Sequence, residues 1–177
     1  ILGTATIFGV AGKASVVETA GGTVKSTGTI ETSGHGAEAG DTVLIDAKTY
    51  TFVAAAKATG TLTSSTVNVT AGKTVTLDTG AAERIYTFVD VPAVEGDVDV
   101  GSDAERSLLN LLNAINADAT SKTAGDHFCV VAHTTVIGKT ATATILTVEA
   151  VAGGTAGNDI HLETDETTYT PSDTHLD

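Results

Sequence analysis

The sequence predicts a mainly β protein of the α+β class, with β-sandwich-like sheets and one amphipathic helix near residues 102–117. Three observations lead there. Thr and Ala together make up roughly a third of the 177 residues, far above ordinary usage. Aromatic residues are only 4% and Trp and Met are absent, so any core must be built from Val, Ile, Leu, Ala and Thr methyls. Nineteen Gly against two Pro divide the chain into short runs, and β-branched side chains favour extended, pleated backbone over helix.

Residues 1–36 read as short alternating pieces at 4–10, 14–19 and 23–32, broken by Gly9, Gly12, Gly21, Gly22, Gly28 and Gly34-His35-Gly36. This stretch is expected to be an N-terminal strand region or interaction arm. A β-rich domain over 37–166 comes next. Thr42-Val43-Leu44-Ile45 and Tyr50-Thr51-Phe52-Val53 flank the polar Asp46-Ala47-Lys48 and predict a hairpin. Further β runs lie at 61–70 and 73–78.

A partial repeat is visible. Ala39-Gly40-Asp41-Thr42-Val43 is echoed by Ala71-Gly72-Lys73-Thr74-Val75, and Tyr50-Thr51-Phe52-Val53 by Tyr86-Thr87-Phe88-Val89. The second copy has a turn about four residues longer, and only that copy continues into a helix. Two copies are too few for a solenoid.

The helix has its own signature. Ser102 and Glu105 are spaced as a capping box, Asp103 and Glu105 put negative charge in the first turn, and Leu108, Leu111, Leu112 and Ile115 recur at i, i+3, i+4, i+7. Such a stripe must lie on a sheet. Asn110, Asn113 and Asn116 sit between the apolar positions. Strands are expected again at 128–136, 140–151 and 159–164. Residues 167–177, rich in Thr and Asp with Pro171, read as an acidic tail, exposed or ordered by a neighbour.

Charge and cysteine content exclude several functions. Nine basic against 22 acidic residues give a net charge of −13, and the basic residues are scattered singly, so no cationic patch for nucleic acid forms from sequence neighbours. No apolar run reaches the roughly 20 residues of a membrane-spanning helix. Cys129 is the only cysteine, which removes intramolecular disulfides and multi-cysteine metal sites.

Candidate sites must be weighed against plainer readings. If 128–136 is one strand, His127, Cys129 and His133 share a face and could hold zinc. Val131 interrupts that face, and a buried Cys beside two edge histidines explains the pattern equally. Glu95, Asp97, Asp99 and Asp103 precede the helix and could chelate Ca²⁺, but no EF-hand spacing is present, and a solvated acidic loop supporting the helix dipole accounts for them. Gly153-Gly154-Thr155-Ala156-Gly157-Asn158-Asp159 is close to a Ca²⁺-binding nonapeptide but occurs once, whereas such sites need stacked copies. There is no G-x-S-x-G, H-E-x-x-H, Walker loop or strand-borne G-x-G-x-x-G. The reading is therefore non-enzymatic, with no catalytic, cofactor-binding or metal-binding residue and no cofactor.

Over 71–163 the chain resembles a β-rich module of structural proteins of tailed-bacteriophage virions. The residues that carry the resemblance are Gly40-Asp41-Thr42-Val43 and Gly72-Lys73-Thr74-Val75, the Tyr-Thr-Phe-Val strands, and Glu95-Gly96-Asp97-Val98 leading to Val100-Gly101-Ser102. They continue with Asn110-Leu111-Leu112-Asn113-Ala114-Ile115-Asn116, His127, Thr147-Val148-Glu149-Ala150 and Gly154-Thr155-Ala156-Gly157-Asn158-Asp159-Ile160. Asp46-Ala47-Lys48 and the insertion at 79–84 depart from the module's tight Gly-Gly turn. The resemblance implies a structural component of the virion, an extracellular particle: foremost a capsid decoration or cement protein, or another outer head or tail component. Its partners would be capsid or tail proteins and copies of itself, with no nucleic acid and no membrane span. The alternative is a surface adhesion or receptor-binding β module of a phage fibre or bacterial envelope. Scarce aromatics, which sugar sites use for stacking, count against it.

Overall fold

The computed structural model describes residues 38–45 and 47–177, together with the backbone of three short strands before them. The chain forms two compact units, Ile1–Ala55 and Ala56–Asp177. The division expected at 36/37 therefore lies inside the first unit. Its cause is strand pairing between the two sides of that expected boundary.

In the first unit, β1 (Thr6–Phe8), β2 (Ala14–Ser15) and β3 (Thr29–Ile30) precede β4 (Thr42–Ile45) and β5 (Lys48–Thr51). The rest of the pieces expected at 4–10, 14–19 and 23–32 lies outside the described residues. The expected hairpin is present: β4 and β5 pair antiparallel with Val43 opposite Tyr50. β1 adds to the far side of β4, Ile7 opposite Val43, giving the order β1-β4-β5, while β2 pairs with β3.

The second unit is mainly β. It contains β6 (Lys57–Ser64), β7 (Thr74–Leu77), β8 (Arg84–Val89), β9 (Asp97–Asp99), α1 (Ala104–Ile115), α2 (Ala119–Ala124), β10 (Val136–Ala141), β11 (Ile145–Gly153), a single turn α3 (Thr155–Asn158), β12 (Leu162–Thr164) and β13 (Tyr169–Pro171). Two four-stranded sheets result, ordered β10-β11-β6-β13 and β12-β7-β8-β9. All pairings are antiparallel except β8 with β9. Strand alternation fills the core: Ala58 and Leu62 from β6, Val75 and Leu77 from β7, Tyr86 and Phe88 from β8, and Leu146, Val148 and Ala150 from β11 are buried. Phe88 meets Tyr169 edge-on, with ring centroids 5.9 Å apart.

The helix occupies the expected place within two residues at each end. Its N-cap is Asp103 rather than Ser102: an Asp103 carboxylate oxygen accepts the Arg106 N–H at 2.9 Å, while the Ser102 hydroxyl donates to the other oxygen. Leu108, Leu111, Ala114 and Ile115 are buried as the stripe requires. The three asparagines then tie this helix to its surroundings. Asn110 donates to the Asp99 carbonyl at 3.1 Å, and Asn113 to the Ser121 hydroxyl at 2.7 Å. Asn116 both donates to the Gly138 carbonyl and accepts the Gly138 N–H, at 2.9 and 3.0 Å. In doing so it stands in for a neighbouring strand on β10.

Four sequence expectations need correction. The run expected at 61–70 is strand only as far as Ser64, and that at 140–151 is divided between β10 and β11. Residues 128–136 are not a strand: only Val136 belongs to one, and Val130 and Thr135 give their N–H groups to Glu95 and His133 side chains. Residues 167–177 are not an exposed tail. Tyr169–Pro171 is a sheet strand on β6, and the chain then runs between the two sheets. Ser172 N–H donates to Thr61 O, Thr59 and Asp177 exchange backbone hydrogen bonds, Leu162 N–H donates to Thr174 O, and Leu176 N–H donates to Ile160 O. This closing segment joins β6 to the residues around β12 and sets Leu176, fully buried, into the core. Gly60 leaves room for it, because a Cβ there would lie 3.2 Å from both Leu176 and Leu162.

The outer side of β9 is also covered. Asp99 N–H donates to Asp126 O and Phe128 N–H to Asp97 O, at 2.8 and 2.9 Å.

Candidate functional site

The residues with the most reactive side chains are spent on backbone. His127 accepts the Cys129 N–H at Nδ1 (3.1 Å), so its Nε2 carries the proton donated to the Asp118 carbonyl 3.1 Å away. His133 accepts the Thr135 N–H at Nδ1 (3.3 Å) and turns Nε2 toward the Leu77 carbonyl, 3.4 Å away. The irregular path of 128–135 sends the two rings to different carbonyls, one before α2 and one at the end of β7, so the face expected from strand periodicity does not exist. Burial lowers both histidines below their ordinary value, and burial raises the Cys129 thiol. Among the described residues no three of His, Cys, Asp and Glu come together as a metal ion would require.

The acids before α1 also hold their own loops. Asp97 accepts N–H groups from Ala93 and Val94, both at 2.9 Å, and Asp99 accepts that of Gly101 at 2.9 Å. Glu95 accepts the Val130 N–H at 3.0 Å and lies 3.6 Å from the Arg84 guanidinium, which also bonds the Val131 carbonyl. Asp103 caps the helix, and the Arg106 N–H holds its carboxyl below the ordinary range. The glycine-rich stretch near 153–159 is a corner. Gly154 has φ +83°, α3 makes one turn, and Gly157 lies so close to β11 and β6 that a Cβ would sit 2.9 Å from the Ala150 methyl.

Sequence reading passed over Glu166. Burial works to raise its carboxyl, but the Thr70 and Thr168 N–H groups, 2.9 and 3.0 Å away, outweigh burial and hold it below the ordinary value. It ties the residues before β7 to those before β13. Its run, Asp165-Glu166-Thr167-Thr168, carried only the signal of an ordinary polar turn.

These shifts make stability depend on pH. The unfolded chain protonates both histidines near 6.5, where the folded protein resists. Their stabilisation is therefore complete above 6.5 and is lost as pH falls toward the lower folded values. The carboxylates of Asp103, Asp118, Asp165 and Glu166, also lowered, lose theirs in a second, more acidic window below their ordinary values of 3.8 to 4.5. The melting temperature should be level between about pH 7 and 8 and decline in two stages below that. His127→Gln, which keeps a donor and an acceptor without titrating, should shrink the first stage, leaving the share due to His133; an unchanged profile would refute this account.

What remains is the repeated hairpin. Gly40 and Gly72 have φ of +98° and +89°, each in open space. Gly40 N–H donates to Phe52 O at 2.8 Å, and Gly72 N–H to Phe88 O at 2.7 Å. Phe52 N–H donates to Asp41 O and Phe88 N–H to Lys73 O, both at 2.8 Å. β1 lies on β4 as β12 lies on β7, with Ile7 opposite Val43 and Thr164 opposite Val75. The two copies are one backbone design, but their surroundings differ. Tyr86 and Phe88 are 0% exposed, whereas Tyr50 is 53%, Phe52 41% and Val53 83% exposed.

No helix among the described residues is long and apolar enough to cross a membrane. No family model, curated protein or solved structure matches the chain.

Proposed function

We propose that this chain is a non-enzymatic structural protein of a tailed-bacteriophage virion, foremost a capsid decoration or cement protein or another outer head or tail component, acting by packing against other subunits. The observation that supports it is the uncovered hairpin. Val43 is buried as Val75 is, but Tyr50 and Phe52, whose counterparts Tyr86 and Phe88 are core, face solvent, which is how a surface reserved for another protein differs from a finished one. The histidines, the cysteine and the acidic loop serve backbone geometry instead of chemistry. A net charge of −13 would keep decorated particles apart. The phage assignment itself comes from the motif resemblance over 71–163.

The test is reconstitution. Purified chain mixed with particles stripped of their accessory proteins should co-sediment to a fixed number of copies per particle. Failure to bind any head or tail preparation, or turnover of a small molecule by the pure chain, would refute the reading.

A further inference from the structure

The duplicate hairpin shows what the first copy lacks. On the outer edge of β8 lies β9, parallel, with Thr87, Phe88 and Val89 opposite Asp97, Val98 and Asp99. Thr87 N–H donates to Gly96 O at 2.9 Å, and Val89 O accepts from Val100 N–H at 3.0 Å. Arg84, which opens β8, lies 3.6 Å from Glu95 of the turn leading into β9.

The corresponding edge of β5 has the same outfit. Lys48 stands where Arg84 stands, since Ile45 faces Lys48 as Leu77 faces Arg84. Phe52 spends its N–H and carbonyl on Asp41 and Gly40, so strand alternation turns the Thr51 N–H and the Val53 carbonyl outward. Among the described residues no strand pairs with that side of β5. Past Val53 the chain runs through Ala54, Ala55 and Ala56 directly into β6 of the other unit, so the next residues cannot fold back over this edge as those after β8 do.

We propose that the edge of β5, unpaired among the described residues, is completed by an extended acidic segment of a second copy of this chain, laid parallel to β5 where β9 lies on β8. The inference rests on the packing role proposed above and names its partner. Charge selects the occupant. Lys48 offers a cation where its duplicate takes a glutamate, and the chain carries 22 acidic residues against nine basic ones. Its own Glu95-Gly96-Asp97-Val98-Asp99 already shows an acidic strand on the same hairpin type. Backbone pairing supplies the attraction, and Tyr50 and Phe52 lose exposed surface. An edge on one copy meeting a different segment on the next closes into a dimer where the exchange is reciprocal and builds rings or arrays where it is not.

The experiment is sedimentation velocity on the full chain over a wide concentration range, with Thr51→Pro and Lys48→Glu. Proline removes only the outward N–H, a substitution edge strands tolerate. The native chain should gain mass with concentration, and each variant should associate at least about tenfold more weakly with unchanged circular dichroism. A native chain that stays monomeric throughout overturns the inference, as does a Thr51→Pro variant that associates like the native chain. A monomer whose Thr51 amide is protected from hydrogen exchange assigns the edge to a segment of the same molecule, and also overturns it. The two readings fail separately: a monomer that coats particles defeats this inference alone, and a self-associating chain that ignores particles defeats the virion role alone.

Discussion

Leu176→Ala is expected to lower the stability of the second unit by about 2–5 kcal/mol, among the largest effects of any single change. The side chain is fully buried where the closing segment passes between the sheets, against Leu162 and above Gly60. Truncating it leaves a void bounded by two sheets, neither free to collapse without breaking the backbone bonds of Thr59 and Ile160. Removing residues 172–177 altogether should do more, because the Thr59 and Leu162 N–H groups then lose their acceptors as well. Chemical denaturation checks both. If the shortened chain unfolds at the same denaturant concentration as the full one, these residues do not close the fold.

Asn116→Leu is expected to cost about 2–4 kcal/mol, since it leaves the N–H and the carbonyl of Gly138 without partners. Asn116→Asp separates shape from hydrogen bonding. It keeps the acceptor for the Gly138 N–H but sets a second oxygen against the Gly138 carbonyl, so it should also destabilise, and more at neutral pH than in acid, where the carboxyl can donate. Asn116→Ser, with one donor and one acceptor on a shorter arm, should fall between native and Leu. If all three melt with the native protein, the amide is not acting as the missing strand.

The helix was legible because its information is local. Leu108, Leu111, Leu112 and Ile115 report their face within eight residues of sequence. Its cap was misplaced by one because Ser102 and Asp103 both suit the position, and the serine hydroxyl turns to the aspartate instead of to the backbone. Residues 128–136 misled for the opposite reason. Phe128, Val130 and Val131 suggest a strand, but all three are exposed, and the local path is set by Glu95, His127 and His133 accepting backbone N–H groups. The segment after 166 hid in its composition. Only Tyr169 and Leu176 carry large apolar side chains there, and their value depends on two sheet edges over a hundred residues of sequence away in one case.

The candidate interface was half visible. The two Tyr-Thr-Phe-Val strands are identical in sequence, so nothing within them separates a buried tyrosine from an exposed one. The difference lies downstream of each strand: Glu95 to Asp99 and α1 come after the second copy, three alanines after the first. That asymmetry could be read from the chain, whereas its spatial consequence required the pairing partners.

The backbone exchange between Thr59 and Asp177 also bears on biosynthesis. Until residue 177 has emerged from the ribosome, β6 and the residues around β12 present unsatisfied edges with an apolar cleft between them. This unit therefore closes only after every other strand in it has been synthesised, by a high contact-order step that is slow compared with hairpin formation. During that interval the nascent chain is vulnerable to aggregation, and holdase chaperones should bind it more readily than the finished molecule.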